Sequence, residues 1–135
     1  MVNNTTKMLE LASHPKSIKE VESFVEELAR KLELERQKHG DILTSLTEAV
    51  NNAIRHGNCN DARKKVKIKL RRSEREITFR VSDEGCGFDY HSLPDPTKPE
   101  NLCKLGGRGV FLMCQLTDRI AFVNGGRTVE MRFRL

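Results

Sequence analysis

The chain has 135 residues with a formal net charge of +5, and this length suits one domain. Hydrophobic residues make up 37% of the chain, aromatic residues make up 5%, and tryptophan is absent, so we expect a mainly aliphatic core. No apolar run approaches the ~20 residues that a membrane-spanning helix needs, and the first residues lack the apolar segment of a signal peptide. These features exclude a membrane-spanning protein and predict one soluble, cytoplasmic domain over residues 1–135.

The first half of the chain predicts one strand followed by two helices. The strand covers Thr6–Ser13, and a helix begins near Pro15, after which apolar residues recur at helical spacing. Gly40 interrupts that spacing, and Asp41 is expected to cap a second helix that ends at Gly57.

The second half of the chain predicts strands, one further helix and a closing hairpin. Strands are expected near Lys65–Arg71 and Glu76–Ser82, because apolar and polar residues alternate there. A long stretch without periodicity follows, of the kind that is usually functional in a compact domain. A short helix at Val110–Leu116 and two strands around the Asn124–Gly126 turn close the chain. The sum is an α+β domain whose helices lie on one face of the sheet.

The basic segment Asp61–Glu76 has two interpretations. Val66, Ile68 and Leu70 alternate with charged residues, which is typical of a half-buried strand with a charged outer face. A nucleic-acid surface is the alternative, but the segment lacks the aromatic residues on which bases stack. We favour the charged strand face and expect no direct nucleic-acid partner.

The cysteines give no sign of a metal site. Cys59, Cys86, Cys103 and Cys114 form no C-x-x-C pair and have no histidine at a zinc-like spacing. They therefore predict reduced thiols in a reducing compartment, which agrees with a cytoplasmic location.

A glutamate and an asparagine mark the second predicted helix. Glu48 and Asn52 are four residues apart, so their side chains lie one above the other, opposite the apolar stripe of the helix. A carboxylate and a carboxamide offer hard oxygen ligands of the kind that Mg²⁺ uses, and the carboxylate can also accept a proton from an attacking hydroxyl. The other interpretation is an ordinary solvated helix face.

Two glycine-rich segments follow later in the chain. The first, Asp83–Gly87, comes where a strand ends, and its glycines allow a flat ligand to approach the backbone while a carboxylate accepts a hydrogen bond from an exocyclic amine. The second, Gly106–Gly109, leads into a helix whose first N–H groups can bind a phosphate, with Arg108 as a charged donor. Each segment alone could be a simple turn, but together with Glu48 and Asn52 the two segments supply the parts of a nucleotide site.

The order E-x-x-x-N, D-x-G-x-G, G-x-G resembles the N, G1 and G2 boxes of the GHKL ATPases. That resemblance implies the Bergerat fold, a two-layer α/β sandwich with a mixed, mostly antiparallel sheet and helices on one face. With "EAVNNAIRHGN" and "GGRGVFLM", the chain is most similar to the anti-sigma factor serine kinases of the SpoIIAB/RsbW type. The resemblance spans nearly the whole chain and implies ATP and Mg²⁺ as cofactors.

The resemblance also implies a role for each matching residue. Glu48 would be the general base, Asn52 the Mg²⁺ ligand, and Asp83 the acceptor for the adenine amine. The remaining cofactor-binding residues would be Gly85 and Gly87 at the base, Gly107, Arg108 and Gly109 at the phosphates, and Thr128, which would join Asp83 near adenine. Asp89–Lys104 would form the lid, and Cys86, between the two glycines of the G1 box, is a departure of unknown role.

The implied function is that of a serine/threonine-protein kinase. It would phosphorylate a serine on an anti-anti-sigma (STAS) protein and sequester a sigma factor, acting as a homodimer. A non-catalytic, ATP-gated partner-switching module remains open, because nucleotide binding needs Asn52 and Asp83 but not Glu48. A fragment of a histidine kinase is a third hypothesis, and we consider it weaker because the chain shows no leading helical segment that carries the target histidine.

Overall fold

The structure is a computed structural model that describes residues 5–85 and 107–135. Its elements follow the predicted order of one strand, two helices, two strands, one helix and two strands. They are β1 (Thr5–Ala12), α1 (Ile18–Leu32), α2 (Arg36–Asn52), β2 (Lys65–Arg72), β3 (Glu76–Ser82), α3 (Gly107–Leu116), β4 (Arg119–Val123) and β5 (Thr128–Arg134). Short helical turns cover Pro15–Ser17, Ala53–Gly57 and Asn124–Gly126. In the described ranges, no helix has the length and apolar character required to cross a membrane.

The strands form a sheet in the order β1-β2-β3-β5-β4. The four pairings among the described residues are all antiparallel, so the expected mixed sheet is corrected to an antiparallel one in this part of the chain. Val66, Ile68 and Leu70 face the helices and are buried, whereas Lys67 and Lys69 between them are exposed. The predicted charged outer face of β2 is therefore confirmed.

The core lies between the helices and one face of the sheet. It is mainly aliphatic, as expected, with Phe79 and Phe133 packed edge-on at its centre, their ring centroids 6.0 Å apart. The α2 residues Ile42, Leu46 and Val50 are fully buried against it. Burying each such side chain contributes about 1.5–3 kcal/mol, which fixes the face that α2 turns inward and therefore the direction of its polar side chains.

The predicted start of α2 is wrong. The helix begins at Arg36, with Gly40 and Asp41 inside it, and the chain breaks instead at Glu33, whose φ of 52° and ψ of 47° are left-handed. Gly40 has nothing within 4 Å of a Cβ position, and its cost to the helix is about 1 kcal/mol relative to alanine. Asp41 accepts a hydrogen bond from Gln37 one turn earlier, at 2.8 Å, rather than capping a helix.

The prediction of reduced thiols is only partly confirmed. Cys59 is free and exposed, but Cys114 is disulfide-bonded, which contradicts the prediction for that residue. Spacing along the chain does not reveal which sulfur atoms the fold brings within bonding distance, so the sequence pattern could not show this. Cys86 and Cys103 lie outside the described residues.

Candidate functional site

The candidate site begins at the C-terminal end of α2. Glu48 and Asn52 are partly buried there, on the side of the helix that faces α3. After Asn52 the helix widens into a π-helical turn over Ala53–Gly57, in which the Asn58 N–H donates to the Ala53 carbonyl at 2.8 Å. Such turns are rare and often occur at functional sites. The predicted end of the helix at Gly57 is confirmed, with this change of helix type.

Gly109 brings the first and third sequence clusters together. A Cβ added to Gly109 would lie 2.7 Å from Oε2 of Glu48 and 3.5 Å from Nδ2 of Asn52. A Cβ at this point would crowd the Glu48 carboxylate, whereas the Asn52 amide lies at ordinary contact distance. The start of α3, where Gly107 and Arg108 precede Gly109, therefore lies against the acid and amide of α2. The first N–H groups of α3 have no partner within the helix and are suited to bind a phosphate.

A second close contact joins the end of α2 to the second cluster. A Cβ on Gly57 would overlap the Asp83 carboxyl group, and a Cβ on Gly85 would overlap the Gly57 carbonyl oxygen. The Gly85 N–H donates to Oδ1 of Asp83 at 2.8 Å, and the Asp83 N–H donates to the Arg127 carbonyl at 2.9 Å. Asp83 is therefore held from three sides, by the helix end, by its own loop and by the strand hairpin.

A cavity of about 370 Å³ lies among these elements, within the usual size range of small-molecule sites. Its walls are mainly apolar, and polar side chains line the rest of it. The apolar wall comprises Ala49, Ala53, Val81, Val110, Met113, Phe122 and Val129, and the remaining lining residues are Asn52, His56, Gly57, Asp83, Arg108, Gly109, Gly126 and Arg127. The volume and the apolar walls suit a flat heteroaromatic ring, while the polar residues suit its amine and its phosphates.

Partial burial raises the pKa of Asp83. The Gly85 N–H and the charges of Arg127 and Lys64 oppose this rise but do not outweigh it. A carboxylate that is partly removed from water gains from a ligand that donates a hydrogen bond to it, as an exocyclic amine does. The carboxyl group is thus prepared for such a ligand before one arrives.

The structure brings most of the predicted site residues together. Asn52, Asp83, Arg108 and Gly109 line the cavity, and Glu48 contacts the same wall through Gly109. The Gly85 N–H donates a hydrogen bond to the Asp83 carboxylate, and Gly107 is the first residue of α3. Cys86, Gly87 and the predicted lid Asp89–Lys104 lie outside the described residues, so their sites stay predictions.

Thr128 does not line the cavity. Its side chain is buried, with its hydroxyl 2.9 Å from that of Ser82 and 3.1 Å from Nδ2 of Asn124, which donates to it. The neighbouring residue Arg127 lies in the cavity wall beside Asp83. The sequence reasoning missed Arg127, which directly precedes β5 and has helical φ and ψ angles of -78° and -13°, so the alternation of side chains along a strand gave no signal for it.

Glu48 and Asn52 of α2 offer oxygen atoms that suit a magnesium ion. Among the described residues, no group of three or more His, Cys, Asp or Glu side chains could hold a metal by itself. Mg²⁺ does not require such a group, since it takes one or two protein oxygens and completes its shell with waters and phosphates. The Asn52 carboxamide and the Glu48 carboxylate, both against Gly109, offer such oxygens.

Comparison with known proteins decides the family. Residues 11–133 match the family model of the histidine kinase-like ATPase domain. This chain belongs to that family. The match covers most of the chain and confirms the resemblance to the GHKL ATPases that the three boxes suggested. Membership of an ATPase family implies that the chain binds a nucleotide.

A solved structure shares this domain's fold. It is the crystal structure of the RsbU and RsbW domains of Rv1364c from Mycobacterium tuberculosis, with a TM-score of 0.67 and 14% sequence identity. The similarity covers 97% of this chain and 32% of the other, so this chain spans about a third of that structure's length. At this identity the likeness shows the fold alone, and it confirms the predicted two-layer α/β architecture. The search of curated proteins found no match.

Proposed function

We propose that this domain is an anti-sigma factor serine/threonine-protein kinase. It binds ATP with Mg²⁺, transfers the γ-phosphoryl group to a serine of an anti-anti-sigma (STAS) protein, and sequesters a sigma factor. The family match and the fold shared with a structure that contains an RsbW domain support this class of protein. The observation that carries the catalytic part is the contact of the Glu48 carboxylate with Gly109, beside Asn52 and at the cavity wall.

Each end of the cavity has a distinct task in this proposal. Asp83 accepts a hydrogen bond from the exocyclic amine of adenine, whose ring packs between apolar residues such as Val81 and Phe122. Arg108 and the first N–H groups of α3 bind the phosphates. Asn52 supplies an oxygen ligand for Mg²⁺, which neutralises part of the phosphate charge when bound.

Glu48 acts as the general base. Its carboxylate accepts the proton of the serine hydroxyl while the serine oxygen bonds to the γ-phosphorus and the bond between that phosphorus and ADP breaks. The protonated Glu48, the phosphoserine and ADP are the products of this step. Gly109 leaves the space that the carboxylate uses, because a Cβ at this position would lie 2.7 Å from Oε2.

A second candidate function is a non-catalytic, ATP-gated partner-switching module. One observation favours it: Asn52 and Asp83 line the cavity directly, whereas Glu48 reaches it only through Gly109. In such a module, ATP would order the domain and control its affinity for partners, and no phosphoryl group would be transferred.

The test mixes the purified protein with Mg²⁺, γ-labelled ATP and candidate STAS proteins. We expect label on a serine, and we expect Glu48→Gln to reduce transfer by about 10²–10⁴-fold while ATP binding persists, because general-base catalysis contributes about that much. Glu22→Gln, at an exposed position of α1, is the matched control and should transfer at the wild-type rate. Transfer by Glu48→Gln at the wild-type rate would remove Glu48 as the base.

ATP binding without transfer to any candidate would favour the second function. The sigma factor and the homodimer are proposals that pull-down with candidate sigma factors and sedimentation of the purified protein would test. The cytoplasmic location stays a prediction from the sequence.

A further inference from the structure

Asn58 is a fully buried polar side chain next to the candidate site. It follows the π-helical turn directly and has no exposed surface. Its Nδ2 donates to Oγ of Ser13 at 2.8 Å and to the carbonyl of Lys65 at 3.1 Å. Its Oδ1 accepts from the N–H of Glu84 at 2.8 Å. One side chain therefore ties together the end of α2, the residue after β1, the start of β2 and the loop after β3.

The amide of Asn58 has a single workable orientation. The Ser13 hydroxyl donates its own hydrogen to the Lys64 carbonyl at 2.7 Å, so towards Asn58 it acts as an acceptor. Rotating the amide by 180° would set Oδ1 against two acceptors and Nδ2 against the Glu84 N–H. A buried amide that loses all its partners in this way is strongly disfavoured. The Glu84 peptide therefore has one fixed anchor.

That anchor controls the loop that carries Asp83. The Glu84 peptide lies between Asp83 and Gly85, whose N–H donates to the Asp83 carboxylate. Gly57 supports the same loop from the side through its carbonyl oxygen. The Glu84 side chain adds a second tie, since its Oε2 accepts from the N–H of Lys65 at 2.6 Å. The direction of the Asp83 carboxylate depends on these contacts, and Asn58 supplies its contact from a side chain that is fully buried.

We propose that Asn58 is a positioning residue for base selection, whose amide holds the Glu84 peptide so that the Asp83 carboxylate faces the exocyclic amine of adenine. This inference rests on the proposed function, which assigns that amine to Asp83. Asn58 does not touch the nucleotide. It acts through the loop, and its loss should impair the discrimination of the base more than the binding of the phosphates.

The test compares two ligands rather than two activities. Dissociation constants are measured for ATP and for purine riboside triphosphate, which has hydrogen in place of the 6-amino group. In the wild type we expect ATP to bind at least roughly tenfold more tightly, as a hydrogen bond to a charged group predicts. Asn58→Ala should reduce this preference towards one, mainly by weakening ATP. A general loss of structure would weaken both ligands alike.

Ser17→Ala is the matched control. Ser17 is also buried and its hydroxyl donates to the Ala12 carbonyl at 2.8 Å, but it has no contact with the Asp83 loop. It should lose some stability, through the loss of a buried hydrogen bond, and keep the preference for ATP. If Asn58→Ala does not fold, Ser13→Ala removes one anchor of the amide, and we expect a partial loss of the preference.

The outcomes separate this inference from the function on which it rests. An unchanged preference in folded Asn58→Ala, an equal weakening of both ligands, or, where that variant does not fold, an unchanged preference in Ser13→Ala would overturn the role of Asn58. A wild type without affinity for ATP, or Asp83→Ala with an unchanged preference, would overturn the base contact of the proposed function itself, and this inference with it.

Discussion

Replacing Gly109 by alanine should separate catalysis from stability in this domain. The new Cβ would lie 2.7 Å from Oε2 of Glu48, where ordinary van der Waals contact begins near 3.4 Å. The carboxylate must therefore move by roughly 0.7 Å, and it can, because it is the end of a flexible side chain. The Asn52 amide, 3.5 Å from the Cβ, is already at ordinary contact distance and can stay.

The expected changes in stability and rate have opposite directions. Alanine in the first turns of a helix gains up to about 1 kcal/mol over glycine, so the free energy of unfolding should stay the same or rise slightly. A misplacement approaching 1 Å at a catalytic group costs on the order of 10²-fold in rate, so phosphoryl transfer should fall by about that factor. Urea unfolding measures the first quantity, and transfer of labelled phosphate to a STAS partner measures the second.

Gly40→Ala is the matched control for this prediction. Gly40 lies inside α2 with open space around its Cβ position, so alanine should stabilise the protein by about 1 kcal/mol and leave the transfer rate unchanged. Two results for Gly109→Ala would refute the reasoning. A wild-type transfer rate would show that the position of Glu48 is not critical, and a loss of more than about 2 kcal/mol would show that Glu48 cannot yield.

Two further predictions concern the base end of the cavity. Burial raises the pKa of Asp83, so the folded protein keeps that proton to a higher pH than the unfolded chain does. The ionised carboxylate therefore lowers the free energy of unfolding. This loss is absent below the unfolded pKa of about 3.9 and complete above the raised folded pKa. Asp83→Asn should therefore be more stable relative to wild type at pH 7 than at pH 3, and urea unfolding that gives equal differences at both pH values would contradict this. Thr128→Val should lower the free energy of unfolding by about 1 kcal/mol, because Ser82 and Asn124 lose a hydrogen-bond partner. It should leave the ATP dissociation constant unchanged. Calorimetry that finds ATP binding weakened tenfold would instead support the sequence-based role of Thr128 at the base.

The parts of the fold that the sequence could predict are those governed by local periodicity. Val66, Ile68 and Leu70 alternate with charged residues, and burial of every second side chain is what makes a strand stable on one face of a sheet. The spacing of Glu48 and Asn52 likewise places both on one side of any helix. These predictions needed no knowledge of distant contacts, and the structure agrees with them.

The start of α2 was wrongly predicted because two weak local preferences both favoured a break at Gly40. Gly40 costs a helix about 1 kcal/mol, and Asp41 is a good cap, so the pattern favoured a break there. The chain breaks earlier, at Glu33, where a left-handed residue turns α1 back towards α2 so that both helices cover the same sheet face. The packing of the apolar stripes decides this position, and local sequence does not contain it.

The assignment of Thr128 shows a different limit. A shift of one residue along a strand moves a side chain to the opposite face. A motif that is matched one position away therefore assigns its residue to the wrong face of the sheet. In the structure Val129 of β5 lines the cavity, and so does Arg127, which lies just before the strand, whereas Thr128 pairs with Ser82 on the other strand face. Whether Thr128 still influences the base is the question that the valine variant answers.

The segment His56–Asn58 explains why the site forms where α2 ends. Gly57 leaves the space that the Asp83 carboxyl group occupies, and Asn58 fixes the next peptide of the same loop. Both residues cost helical stability, and the π-helical turn adds to that cost, yet the contacts they make join segments more than twenty residues apart in sequence. A regular helix end would satisfy its own backbone but would leave the loop after β3 without these two supports. The irregular helix end therefore supplies two of the contacts that hold the loop of Asp83 in position.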